Sequence, residues 1–354
     1  MTNSSLPPVR MPAEWESHDA TWISWPANLT DWPGKFSPIP WVFGEMTRKI
    51  CPSEKVHIIV NSATHEAKAR RVLHRAGVAL DRVRFFRCPT DRGWTRDSGP
   101  MFVQRTSERD VAVNRFRFTA WAKYPNWKKD DASSPRMAKA LDLPIIPVRH
   151  GNREVVLEGG SIDVNGKGTL LTTEECLLHP TVQLRNPGFT KDDYNEVFKT
   201  YLGATNIIWL GDGLVGDDTH GHVDDLCRFV NPRTVVLALE KNSGDENYRA
   251  LQGNRERLSG VRLEDGSKVE VVPLPMPSPL TYDGLRLPAS YANFYINNSC
   301  VIVPTFNDPN DRIALGILAE LITDRPVVGI NAVDLVLGFG TLHCLTQQQP
   351  SAPR

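Results

Sequence analysis

The sequence predicts an α/β protein built from one supersecondary unit used five times. Three observations carry that expectation. Five segments of helical period are each followed by a short run of β-branched and apolar residues, and the units recur at intervals of about 55 to 70 residues. No low-complexity tract or Gly/Ser linker divides the 354 residues, so a single domain over 1–354 is the simplest reading. The composition, 40% hydrophobic and 23% charged, suits a chain that buries a large core.

In chain order, a helix is expected at about residues 39–51, after Pro-rich "FSPIP". The five repeating helices begin near Ala63 ("ATHEAKARRVLHRAGV"), Asp131 ("DASSPRMAKAL"), Thr190 ("TKDDYNEVFKTYLG"), Asp245 ("DENYRALQGNRERLSG") and Asn310 ("NDRIALGILAELI"). Their following strands are "DRVRFFRCP", "LPIIPV", "NIIWL", "KVEVVPLP" and "RPVVGI". "DVNGKGTLL" reads as a hairpin, with Asn165-Gly166 supplying a positive-φ turn. Radial repetition of such units places a site at the hub, built from loops of several units.

Charge and cysteine usage narrow the function. Forty-one basic residues balance forty-one acidic ones, so no global field draws nucleic acid or an anionic membrane, and a small molecule is the expected partner. The N-terminus lacks the run of roughly ten apolar residues of a signal peptide, and no stretch reaches the roughly 18 of a spanning helix, so a cytoplasmic location is expected. The six cysteines, Cys51, Cys88, Cys176, Cys227, Cys300 and Cys344, form no C-x-x-C pair and read mostly as buried small hydrophobes.

Polar residues downstream of the strands single out one exception. "DRGWTRDSGP" carries Trp94 and Asp97, "VVLEGGSI" carries Glu158, "GDDTHGHVDD" carries His220, His222, Asp224 and Asp225, and "GFGTLHC" carries Cys344. "RLPASYANFYINN" offers no obvious catalytic group. A thiolate among carboxylates is disfavoured unless something positive sits between them. A guanidinium fits: it is planar, permanently charged, and met bidentately by carboxylates. Each residue also has a plainer reading. Asp97 and Glu158 could be turn residues, Trp94 could be core, and His220, His222 and Asp224 could hold a metal if His220 and His222 share one side of a strand.

Taken together, "RDSGP", "LEGGSI", "GTLLTTEECLL", "GHVD", "SYANFYI" and "HCLTQQQP" resemble the agmatine deiminase and bacterial-type peptidylarginine deiminase family of guanidine-modifying enzymes, from residue 11 to the C-terminus. The resemblance implies a five-bladed, pseudo-symmetric, pentein-like α/β propeller with its active site at the hub. It implies hydrolysis of a linear amidine, agmatine and water giving N-carbamoylputrescine and ammonia, within polyamine and putrescine biosynthesis. Carried over by motif, Cys344 is the nucleophile, His222 the general acid and base, Asp97 and Asp224 the guanidinium-binding pair, and Glu158 the residue that orients His222. No metal or organic cofactor is implied, and a homodimer is suggested by analogy.

Departures from the family pattern gather at the expected far end of the substrate. The usual D-D-A-W, D-E-T-N and G-G-G-N-I-H-C are here "DRGW", "DDTH" and "GFGTLHC". Trp94, Arg92, Asp218 and His220 are therefore the expected substrate-binding residues, joined by the unusual Phe339 and Thr341. Arg92 could meet the carboxylate of free or C-terminal peptidyl arginine, which keeps deimination of arginine open as a second reading of the substrate. Two further readings stay open: an amidinotransferase, in which an amine instead of water resolves the thiouronium, and a catalytically silent guanidine-binding protein. The nucleophile's place ten residues from the C-terminus further requires that "LTQQQP" be docked, its glutamine amides bonded to neighbours.

Overall fold

The computed structural model describes residues 7–353. Among them are five sheets of three or four strands and two small two-stranded hairpins, and none of the sheets closes into a barrel. The five share one construction: an antiparallel edge strand, then a parallel pair joined by a crossover helix. In the clearest case Asp163–Val164 pairs antiparallel with Thr169–Thr173, which pairs parallel with Asn206–Leu210, and Lys191–Leu202 is the helix between them. Parallel pairing demands such a crossover, which is why helical and extended periods alternate in the sequence.

Each expected repeating helix is present: Ala63–Arg75, Ser133–Ala140, Lys191–Leu202, Tyr248–Leu258 and Asn310–Leu321, preceded by Ile39–Ile50. Local chemistry sets their ends. Thr190 and Asp193 form a reciprocal capping box at the start of Lys191–Leu202, and Gly203, in the left-handed conformation at φ 71°, ends it. The expected strands appear at Val83–Arg87, Ile145–Pro147, Asn206–Leu210, Glu270–Pro275 and Val327–Asn331. The expected hairpin turns at Gly166, whose φ is 69°.

The fifth sheet joins the chain ends. Thr346–Pro350 lies antiparallel against His18–Ser24, which pairs parallel with Lys55–Val60, itself parallel to Val83–Arg87. The tail is docked as expected: Gln348 accepts a bond from Arg96 (2.7 Å) and Gln349 one from the Trp22 indole (3.0 Å). The largest apolar cluster packs Ile39–Ile50 and Ala63–Arg75 against Trp32, Trp94 and Leu342, and Cys344 belongs to it. The thiol is therefore anchored on packed core. All six cysteines are free and buried, and no helix among the described residues is long and apolar enough to cross a membrane.

Candidate active site

Cys344 Sγ lies at one wall of a cavity of about 180 Å³. That is below the roughly 300–1,000 Å³ of drug-sized pockets, so only a slender ligand or a single side chain reaches the sulfur. Asn293 Nδ2 donates to Sγ at 3.1 Å, and Sγ in turn lies 3.5 Å from Asp224 Oδ2. Asn293 Oδ1 accepts from the backbone N–H groups of His343 (3.1 Å) and Cys344 (3.4 Å) and from the Thr341 hydroxyl (2.7 Å), so one amide fixes both the turn and the sulfur. Burial pushes the thiol well above its ordinary range, and Asp224, Asp225 and Asp97 push it further, against the Asn293 bond.

Beside it, His222 is fully enclosed among carboxylates. Its Nδ1 lies 3.8 Å from Asp97 Oδ1 and 4.0 Å from Asp224 Oδ1, and its Nε2 lies 3.7 Å from Glu158 Oε2. Burial lowers the pKa of this imidazole, but Asp97, Cys176 and Glu158 outweigh it and hold the ring well above its ordinary range, as imidazolium. Glu158 is buried against Arg185 at 3.2 Å; burial raises its pKa, and Arg185 and His222 bring it below the usual value. Burial drives Asp97 up to about 6, with His222 opposing and Asp224 adding to the rise.

Two glycines allow this crowding. A Cβ on Gly160 would stand 2.6 Å from His222 Nδ1 and 2.9 Å from Asp97 Oδ1, while the Gly160 N–H donates to that same Asp97 oxygen at 3.0 Å. A Cβ on Gly340 would stand 3.1 Å from the Cys344 sulfur. The second Asp97 oxygen takes the Trp121 indole N–H at 2.9 Å. Trp121 is delivered by three consecutive non-glycine residues in the left-handed region, Ala120, Trp121 and Ala122, at φ 46°, 58° and 52°. Backbone strain of this kind persists only where surrounding bonds enforce it, and Gln183 Nε2 holds the Trp121 carbonyl at 3.1 Å.

The model of the Porphyromonas-type peptidyl-arginine deiminase family matches residues 10–350. The chain belongs to that family. Its curated relatives include the agmatine deiminase of Pseudomonas aeruginosa, 35% identical over 98% of this chain and 96% of the relative, and that of Ectopseudomonas mendocina, 34% identical over 96% and 95%. A solved agmatine deiminase of Enterococcus faecalis superposes with a TM-score of 0.89 at 30% identity, covering 99% of both chains. The family's mixed α/β fold is thus shared over nearly the whole length.

Of the residues singled out by resemblance to this family, Cys344, Asp97, Trp94, Arg92 and Asp218 line the cavity, with Phe339. His222, Asp224 and Glu158 are buried next to it. Thr341 serves Asn293 instead of a substrate tail. His220 is a correction. It lies away from the cavity, its Nδ1 2.9 Å from Glu175 Oε1 and its ring 4.8 Å from that of His179. Residues two apart share a side only on a strand, and here His220 and Gly221 take φ 67° and 87° in a loop, which breaks the alternation. The same break removes His220, His222 and Asp224 as a metal set. Two other sets, Glu158, Cys176 and His222, and Asp224, Asp225 and Cys344, bring ligand-type atoms within 4.8 Å of one another. In these sets Glu158 is paired with Arg185, and one oxygen of Asp224 is bonded to His343.

Arg92 is held rather than free. Its Nη1 bonds Asp31 at 2.6 Å and its guanidinium lies 3.6 Å over the Tyr124 ring, while the Tyr124 hydroxyl donates to Asp218 at 2.7 Å and Lys123 pairs with the same carboxylate. Asp31 also accepts the Trp94 indole N–H at 3.2 Å, and burial pushes its carboxyl up to about 7. Sequence reasoning missed Asp31, Trp121, Asn293, His343 and Glu14. Asn293 sits in "SYANFYI" and His343 in "HCLTQQQP", so those two were inside recognised motifs, and Glu14 lies within the stretch the resemblance covers, while "TAWAKY" and "NLTDW" carry no signal.

Proposed function

We propose that the protein is an iminohydrolase that converts agmatine and water to N-carbamoylputrescine and ammonia through a covalent intermediate on Cys344. The carrying observation is a cysteine sulfur at the wall of a narrow cavity, 3.5 Å from the Asp224 carboxylate, with the His222 imidazole buried between Asp224 and a second carboxylate, Asp97. At rest, the negative charges of Asp97 and Asp224 face the positive charge of His222. A guanidinium entering between the carboxylates adds a positive charge that a thiolate can balance, so the substrate itself promotes loss of the Cys344 proton, which passes to solvent and ends on the released ammonia as ammonium.

Asp97 and Asp224 orient the guanidinium carbon toward Sγ. The sulfur lone pair forms the S–C bond, the C–N bond breaks, and His222 protonates the departing ammonia. The resulting thiouronium is hydrolysed by a water that His222, now neutral, deprotonates; the C–S bond breaks and the thiol is restored. Glu158, fixed by Arg185, holds His222, and Trp94 walls the cavity beside the reacting carbon.

The rim favours an amine-bearing tail. Arg92 is tied to Asp31 and Lys123 to Asp218, so both rim cations already face a carboxylate of this chain and neither is free to pair with a substrate carboxylate. One deiminase domain over 1–354, with the five sheets as blades around this hub, completes the reading; a cytoplasmic location and a homodimer stay with the resemblance that suggested them. The test is ammonia and ureido product from wild type and Cys344→Ala, each with agmatine, arginine and a C-terminal arginyl peptide. Agmatine turnover in the wild type, lost by at least about a thousandfold in the variant, is expected. Faster release from arginine would change the substrate and keep the reaction; release of an amine without ammonia would mean transfer; no turnover on any of the three would overturn the reading.

A further inference from the structure

His343, the residue immediately before the nucleophile, is enclosed between two acids contributed by distant parts of the chain. Its Nδ1 lies 2.7 Å from Asp224 Oδ2 and its Nε2 lies 2.8 Å from Glu14 Oε2, both in full burial. Each ring nitrogen therefore faces a carboxylate oxygen at hydrogen-bond distance, which fixes the plane of the ring. Glu14 is itself immobilised. Oε1 accepts the Ile296 N–H at 2.8 Å and faces Arg228 Nη2 at 3.0 Å, and Oε2 takes Arg96 Nη2 at 3.2 Å. Arg228 is pinned in turn to Asp163 at 3.0 Å and to the Phe294 carbonyl at 2.9 Å.

We propose that His343 is a positioning residue: clamped by Glu14, it aims the Asp224 carboxylate at the guanidinium site and commits one of its oxygens, leaving the other for substrate. The asymmetry at Asp224 supports this. Oδ2 takes the His343 bond and neighbours the thiol, whereas Oδ1 is buried with no hydrogen-bond partner among the described residues. The inference rests on the reading that Asp224 grips the substrate guanidinium.

The charge consequence follows from the neighbours. Asp224 is faced by Asp97, Asp225, Cys344, His222, His343 and, farther off, Arg228; His343 is faced by Asp224 and Glu14, with Arg96, Arg228 and Asp163 behind them. Burial raises the Asp224 pKa, and the bond and charge of His343 are the leading influences that bring it below its ordinary value. Without that partner Asp224 binds a proton at higher pH, beside an Asp97 already at about 6. Two carboxylates would then titrate where one did.

The experiment is a pH profile of kcat/KM for agmatine in the full-length wild type, His343→Gln and Glu14→Gln, with near-UV circular dichroism reporting the fold. His343→Gln is expected to lose roughly 30-fold in kcat/KM, the size of one charge-assisted bond, with KM rising more than kcat falls. Its acid limb should move to higher pH and steepen toward a two-proton slope. Glu14→Gln keeps the His343 ring and should shift the limb in the same direction by less. If His343→Gln does not fold, Glu14→Gln alone decides. A folded variant whose acid limb and KM match the wild type would overturn the proposal; an inactive wild type would instead overturn the underlying function.

Discussion

At the scale of single residues, Cys344 is held neutral by the same carboxylates that would grip a guanidinium. Burial, Asp224, Asp225 and Asp97 all act against the thiolate, and the Asn293 bond opposes them. Reactivity should therefore depend on the charge of the electrophile. At pH 7, chloroacetamidine, a cation, should alkylate Cys344 at least about tenfold faster than neutral chloroacetamide, once each rate is divided by that for a free thiol. Equal normalised rates, read by mass spectrometry of the Cys344 peptide, would show that the thiol ionises without help. The residues that carry this chemistry were partly visible in the chain. Cys344, His222, Asp97 and Glu158 stood in motifs whose residue types suggest guanidine chemistry. Asn293 looked unremarkable, because an amide becomes informative only when the sulfur it bonds, 51 residues away, is known.

At the scale of elements, the C-terminal strand Thr346–Pro350 connects the site to the beginning of the chain. It pairs with His18–Ser24 through a register from His18 and Pro350 to Ile23 and Thr346, and Arg96, next to Asp97, reaches into it to bond Gln348. The backbone N–H of Arg96 also donates to the Cys344 carbonyl at 3.1 Å, so the strand, Cys344 and the Asp97 turn are fixed to one another. Ending the chain after Cys344 should abolish ammonia release and lower the melting temperature, whereas ending it after Ser351 should leave both near wild type. Activity retained by the shorter protein would mean the strand is dispensable. Periodicity located the five repeating helices and their following strands, since amphipathic helices and β-branched runs are local properties, but the strand Lys55–Val60 after Ile39–Ile50 was not foreseen. The antiparallel edge strands of two or three residues, such as Tyr295–Ile296 and Cys227–Phe229, were too short to carry a period.

At the scale of the whole molecule, buried ionisable groups tie stability to pH in opposing ways. His57 packs edge-on against Trp22 and Phe86, and burial lowers its pKa from 6.5 to about 4. A depressed value means that the unfolded chain binds the proton first. The contribution to stability is whole above 6.5 and declines as the pH falls toward 4. By pH 5 the loss from this residue is about 2 kcal/mol. Glu14, Glu158 and Asp224, all held below their ordinary values, add to acid sensitivity at lower pH. Asp97, raised to about 6, acts the other way and is less favourable to folding once ionised. His57→Phe, which keeps an aromatic ring there, should show a smaller fall in urea midpoint between pH 7.5 and pH 5 than the wild type. Identical falls would remove His57 from the account.

The sequence by itself determined the alternation of helix and strand, the turn at Gly166, the capping of Lys191–Leu202 and the choice of thiol, imidazole and carboxylates. These depend on residue type and short spacing, which the chain carries locally. Only the tertiary structure decided that His220 turns away, that Arg92 is held by Asp31 from 61 residues away, and that Glu14 reaches His343 across 329 residues. The reason is physical: what a buried charge does depends on the charges packed against it, and packing joins residues that sequence order separates.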